Sequence, residues 1–261
     1  MTGELVHLQI AGGIATITLD SPDNRNALSR RLFADLQRQI EAALAEPAAR
    51  IIVLTATGTV FCSGADLKEQ RQANEAGATG AAQIGPGPLA EILTALWNSP
   101  KPVLGRINGH ARAGGVGLVA ACDIAIAVET ATFAFSEVRI GVAPAIISVV
   151  SLPKLGLATA TELMLTGEPF TAGAAVQYGL ITRAVPATEF DAAVADYARK
   201  LLLGAPEALA ATKRLIREVP GLSMPEAFAQ MAVLSADRFA SAEALEGMTA
   251  FADKRPPRWA G

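Results

Sequence analysis

The residues of this chain whose types and spacing suit chemistry on a polarised, anion-forming group are one carboxylate and two glycine-rich bends. Glu137 stands in Phe133-Ala134-Phe135-Ser136-Glu137-Val138, among aromatic and apolar neighbours that strip water from a carboxyl and raise its proton affinity toward the range useful to a general acid or base. An ion pair of Glu137 with Arg139 or Arg112 on a solvated edge is the competing reading of the same residues. The segments 61–68 and 107–118 share a form: a strand, then glycine and small residues, then a helix. Small residues let a ligand approach the backbone, and a helix amino terminus presents unpaired N–H groups at the positive end of its dipole. Two such termini that converge make an oxyanion hole. Taken singly, the same glycines are also explained by tight packing of helix on strand.

Other chemistries find little to build on. With only His7 and His110 in the chain, a His-rich metal site is excluded, and a Ser-His-Asp triad has two residues to choose from. His7 lies in the alternating run 5–10 and reads as a surface strand residue. His110 follows Asn108-Gly109 and is the better candidate, with a turn histidine satisfied by backbone groups as the alternative. Cys62 and Cys122 lack the close spacing of metal ligands and read as small buried hydrophobes in a reducing compartment. Gly114-Gly115-Val116-Gly117 does not have the spacing of a dinucleotide fingerprint, and no phosphate-binding loop motif occurs. The 22 Lys and Arg against 25 Asp and Glu leave a net charge of −3, so no global basic field draws nucleic acid or an acidic membrane. No signal peptide is recognised, and the apolar runs at 113–122 and 140–152 fall short of the roughly 20 residues of a membrane-spanning helix. A soluble, cytoplasmic protein is expected.

The elements that must position these residues follow from periodicity. The runs 5–10 and 14–19 flank Ala11-Gly12-Gly13 and predict a hairpin. Ser29 caps a helix with Leu32, Phe33, Leu36, Ile40, Ala43 and Leu44 on one face, ended by Pro47. Residues 51–55 form a strand buried on both faces. Residues 72–88 read as a mobile loop or a poorly packed helix beside a site, and 89–97 as a helix. Strands at 103–107, 123–128 and 132–135 complete an α/β core in which loops at strand ends carry the chemistry. Beyond residue 157 the pattern is helical, at 158–166, 171–178, 189–203, 206–218, 225–236 and 241–252, with one further strand at 180–185. The last ~60 residues are expected to cover the core or to make oligomer contacts.

Asn26-Ala27-Leu28, the segment 61–68, Lys101-Pro102-Val103, the segment 108–115, Cys122-Asp123-Ile124, Phe135-Ser136-Glu137 with Gly141, Leu165-Thr166-Gly167 and the late segment 251–256 occur in one order. As a set they resemble the enoyl-CoA hydratase/isomerase (crotonase) family, from about residue 4 to 257. The resemblance implies an α/β fold: a spiral of β-β-α repeats over residues 1–200 that binds an acyl-CoA thioester. It also implies a helical region over 201–261 that builds a homotrimer or hexamer. It makes the N–H groups of Ala65 and Gly114 the oxyanion hole and Glu137 the catalytic acid/base. Asp66, Leu67 and Lys68 would hold the coenzyme A arm, with Ala27, Phe251 and Lys254 also in the substrate-binding set. No cofactor is implied, since coenzyme A belongs to the substrate.

Departures from the family pattern bear on the reaction. Hydratases of the family use two glutamates, and Gly117 stands where the first is expected; Glu137 matches the second. The family's glycine-rich segment is replaced by Pro144-Ala145-Ile146-Ile147-Ser148, which fills space near the place of the water. Arg112 stands where an apolar residue is usual, and is read either as a partner for a second carboxylate on the acyl chain or as a structural arginine. Three functions follow. They are a hydratase-type lyase on a 2-enoyl-CoA with a branched or carboxylated chain among the options, a single-glutamate isomerase, and a non-catalytic acyl-CoA-binding protein.

Overall fold

The structure, a computed structural model, describes residues 3–75 and 87–260. The hairpin forms as the sequence predicts: β1 (Val6–Ala11) and β2 (Ile14–Leu19) pair antiparallel through a turn at Gly12 and Gly13, both at positive φ where a side chain would be strained. Ser29 Oγ accepts the Leu32 N–H at the start of α1 (Arg30–Ala45), which buries Leu32, Leu36, Ile40 and Ala43.

Three β-β-α units then follow one another. The first holds β3 (Ile51–Ala56), β4 (Val60–Cys62) and α2 (Leu67–Glu75); the next helix, α3 (Gly87–Asn98), leads into the second. That unit holds β5 (Val103–Ile107), β6 (His110–Arg112) and α4 (Gly114–Ala121). The third holds β7 (Ile124–Val128), β8 (Thr132–Ala134) and a 3-10 turn at Ser136–Ile140, followed by α5 (Ala145–Ser151). In each unit the first strand joins one sheet and the second joins another. After α6 (Leu157–Thr166) come β9 (Phe170–Thr171), α7 (Ala172–Gln177) and β10 (Arg183–Val185). The large sheet has the order β1-β2-β3-β5-β7-β10 and is parallel from β2 onward; the small one has the order β4-β6-β8-β9. This is the β-β-α spiral expected of the fold.

The core lies between the large sheet and its helices, with all six residues of β3 buried, as a strand covered on both faces requires. The strand expected at 180–185 is shorter, because Leu180 and Ile181 donate to the Ala175 carbonyl and close the turn after α7. The apolar segment 145–151, not assigned to any element from the sequence, is α5. The loop or poorly packed helix expected at 72–88 is helical up to Glu75 and from Gly87; the remainder lies outside the described residues. No helix among the described residues is long and apolar enough to cross a membrane.

The chain ends in α8 (Phe190–Leu202), α9 (Pro206–Glu218), α10 (Met224–Phe239) and α11 (Ala242–Ala252). α9 is tied to the body through Lys213, whose buried Nζ lies 2.8 Å from Asp123 and donates to the Leu96 and Lys101 carbonyls. Arg217 donates to the other Asp123 oxygen at 2.6 Å and stacks on Trp97. α10 and α11 leave Met224, Phe228, Val233, Phe239, Leu245 and Phe251 exposed.

Candidate active site

The small sheet gathers the candidate residues. β4, β6 and β8 are parallel neighbours, with Cys62 opposite Ala111 and Arg112 opposite Ala134. Ala65, Gly114 and Glu137 come two or three residues after the last residues of these strands, Cys62, Arg112 and Ala134. With adjacent strands ~4.8 Å apart, the three chain segments leave the sheet within about 10 Å of one another. Ligand sites at the carboxyl ends of parallel strands arise for this reason.

The two glycine-rich bends touch. A Cβ on Gly64 would lie 2.9 Å from Ala113 Cβ and 3.4 Å from Gly114 N, so only glycine, here at φ +84°, allows the approach. Ala113 itself holds φ 46° and ψ −120°, a conformation that costs a side-chain-bearing residue about 1–3 kcal/mol. Its N–H is fixed on the Ala134 carbonyl, and its own carbonyl accepts from Val116 and Gly117. That geometry starts α4 at Gly114, whose N–H is one of the unpaired amides of the first turn. Ala65 is not at a helix terminus as the sequence suggested. It makes a parallel bridge with Leu28, and α2 begins two residues later, at Leu67. Among the described residues, no group accepts from the Ala65 or Gly114 N–H.

Glu137 is 9% exposed, its Oε2 has no hydrogen-bond partner, and burial pushes its carboxyl above the ordinary range. The alternative ion pairs are not made. Arg139 binds Glu168 and the Thr166 carbonyl. Arg112 donates to the Thr132 carbonyl at 2.6 Å, to Thr132 Oγ1 at 2.7 Å and to the Ala111 carbonyl at 2.9 Å. The guanidinium joins β6 to β8 through these bonds, which is the structural-arginine reading of this residue. His110 Nδ1 accepts from the Thr132 N–H at 3.1 Å and lies 2.9 Å from its hydroxyl, which is the turn-histidine reading.

Asp66 Oδ1 accepts the Lys68 and Glu69 N–H groups and so caps α2, while Leu67 and Lys68 are exposed beside it. Ala27 is buried in the loop between β2 and α1. Phe251 and Lys254 are exposed, one in the last turn of α11 and the other just beyond it. Burial pushes the Cys62 and Cys122 thiols up to about 12, which makes both inert. A cavity of about 670 Å³ lies between α9, α10 and Trp97–Pro100, beside the amino ends of β5 and β7, and shares no lining residue with Ala65, Gly114 or Glu137.

Sequence reasoning missed two supports of this site. Asn26, fully buried, donates to the Thr57 and Val60 carbonyls and accepts the Ser21 N–H, lacing the loop before α1 to the ends of β3 and β4. A polar residue inside Asn26-Ala27-Leu28 was the signal available. Thr132, which holds both Arg112 and His110, carried none.

The profile of the family described as Enoyl-CoA hydratase/isomerase matches residues 9–261. A carnitinyl-CoA dehydratase of Proteus mirabilis is 34% identical over 262 residues, spanning 98% of this chain and 98% of the relative. Among solved structures, an enoyl-CoA hydratase from Shewanella pealeana has a TM-score of 0.90 at 30% identity, covering 98% of this chain and 96% of its own. One from Mycobacterium smegmatis has a TM-score of 0.87 at 30% identity, covering 98% and 99%.

Proposed function

We infer that this chain, which belongs to the enoyl-CoA hydratase/isomerase family, is a hydratase-type lyase acting on a 2-enoyl-CoA thioester. The observation that carries the reading is the unpartnered, buried Glu137 Oε2 set at the same strand ends as the unpaired N–H groups of Ala65 and Gly114. The thioester carbonyl oxygen accepts from both amides. As water adds at the β carbon, electron density moves onto that oxygen to form an enolate, and two fixed donors stabilise it where it appears. Loss of one such donor typically costs about 3 kcal/mol of transition-state stabilisation. Glu137 exchanges the proton with water and with the α carbon, and its raised proton affinity suits both directions.

Gly117 favours a second reading. It leaves Glu137 without a paired carboxylate, and one carboxylate suffices to move a proton between the α and γ carbons, as in a 3-enoyl to 2-enoyl isomerase. No cofactor enters either reaction, so activity should survive dialysis against a chelator. The exposed apolar residues of α10 and α11 suit residues 201–261 to assembly of a homotrimer or hexamer, and the protein is proposed to work in the cytoplasm.

The test is incubation of the purified protein with crotonyl-CoA, following loss of the conjugated thioester absorbance, and separately with a 3-enoyl-CoA, identifying the product. Hydration of the first supports the lyase, and conversion of the second alone supports the isomerase. Tight thioester binding with no turnover of either would refute both.

A further inference from the structure

The side chains nearest to the bare positions of α4 at Gly114 and Gly117 are all hydrocarbon. Gly114 and Gly117 are three residues apart and so share one face of the helix. The position of a Cβ on Gly114 is met by Leu28 Cδ1 at 2.8 Å and Leu89 Cδ2 at 3.4 Å. That of a Cβ on Gly117 is met by Ile147 Cγ2 at 2.5 Å and Leu93 Cδ1 at 3.4 Å. Leu89 and Leu93 lie four apart on α3, and Ile147 projects from α5, 2% exposed. The bare helix face is therefore floored by side chains from the loop before α1, from α3 and from α5. Ile147 is seated directly on Gly117, about 4.5 Å further along the axis than Gly114.

A thioester whose carbonyl is held at the Gly114 N–H runs its acyl group against this floor. Apart from Glu137 at the reacting carbons, the side chains that meet the two glycines are three leucines and an isoleucine, and the Arg112 guanidinium is occupied by Thr132. A buried carboxylate or trimethylammonium group without a partner is strongly disfavoured on such a surface. We propose that Ile147, packed on Gly117, is a specificity-determining residue that closes the acyl floor and selects short, uncharged aliphatic acyl groups. This rests on acyl-CoA binding at Gly114, as proposed above.

The experiment compares crotonyl-CoA, trans-2-decenoyl-CoA and carnitinyl-CoA in wild type, Ile147→Ala and Ile147→Val. The readout is the ratio of kcat/KM for the long over the short thioester, which does not depend on the fraction of folded enzyme. One methylene in a fitted apolar pocket is worth about tenfold or more, so the ratio should rise at least about tenfold in Ile147→Ala and by less in Ile147→Val. Carnitinyl-CoA should not be turned over by the wild type. Equal wild-type rates on the long and short thioesters, an unchanged ratio in both variants, or efficient turnover of carnitinyl-CoA would overturn the proposal. Should the wild type turn over none of the thioesters, the lyase reading fails. Calorimetry with butyryl-CoA and decanoyl-CoA then decides the present proposal, through the same expected shift in the ratio of affinities.

Discussion

Replacing Glu137 by glutamine separates the catalytic role proposed for this residue from what it costs the fold. Its carboxyl is 9% exposed, one oxygen has no partner, and burial raises its pKa above the ordinary 4.5. Below pH 4.5 the group is protonated in the folded and unfolded chains alike. Between that value and the raised folded pKa, the folded protein holds a proton that the unfolded chain has released. Stability therefore falls as pH rises through this window, and the loss is complete above the folded pKa. Charging a carboxylate whose buried oxygen has no partner costs about 1–3 kcal/mol of desolvation. The uncharged amide of glutamine removes the ionisation, so Glu137→Gln should be more stable than wild type at pH 7 by about that amount. At about 2–4 °C per kcal/mol for a chain of this size, the midpoint should rise by roughly 2–12 °C. Turnover of crotonyl-CoA should meanwhile fall by about 10²–10⁴. Urea unfolding followed by circular dichroism at pH 4 to 8, at one protein concentration, measures the first effect. The reasoning is refuted if the variant is less stable at pH 7, or if its advantage persists undiminished at pH 4.

Asp123→Ala leaves the buried Lys213 and the half-buried Arg217 without their shared counter-charge, and should lower stability by about 3–5 kcal/mol in a urea titration. Gly64→Ala forces a Cβ to 2.9 Å from Ala113 Cβ at φ +84°. It should cost roughly 1–2 kcal/mol of stability and, by separating the Ala65 and Gly114 donors, lower kcat at least about tenfold with KM less affected. Arg112→Met should lower stability in a urea titration and depress turnover of crotonyl-CoA, because the guanidinium joins β6 to β8 through Thr132. Turnover of 3-methylglutaconyl-CoA by the wild type that is lost in this variant would show instead that Arg112 reaches the acyl carboxylate.

Local sequence was enough for the elements whose own residues carry the pattern. The hairpin follows from Gly12 and Gly13 between two β-branched runs, α1 from the Ser29 cap and its 3.6-residue apolar stripe, and α9 from Pro206 at its first position. Glu137 was legible as a candidate because its neighbours in the chain are apolar, and the glycines of segments 61–68 and 107–118 marked two backbone approaches. Legible too was the absence of a second carboxylate at Gly117.

The tertiary structure decided what those residues do together. The strands β4, β6 and β8 have three residues each, too few for any alternation to show, and they become a sheet only by pairing across 74 positions from Val60 to Ala134. Yet that sheet is what brings the segments of Ala65, Gly114 and Glu137 out at neighbouring strand ends. The fate of Arg112 was equally hidden, since its partner Thr132 lies twenty residues away on the neighbouring strand. Ile147 met Gly117 only when α5 folded against α4, because a glycine in sequence does not disclose which side chain will take its vacant place. Propensity and periodicity are properties of neighbours along the chain. The proposed oxyanion donors, the unpartnered carboxylate and the apolar packing on Gly117 are relations between segments that only the packed fold brings together.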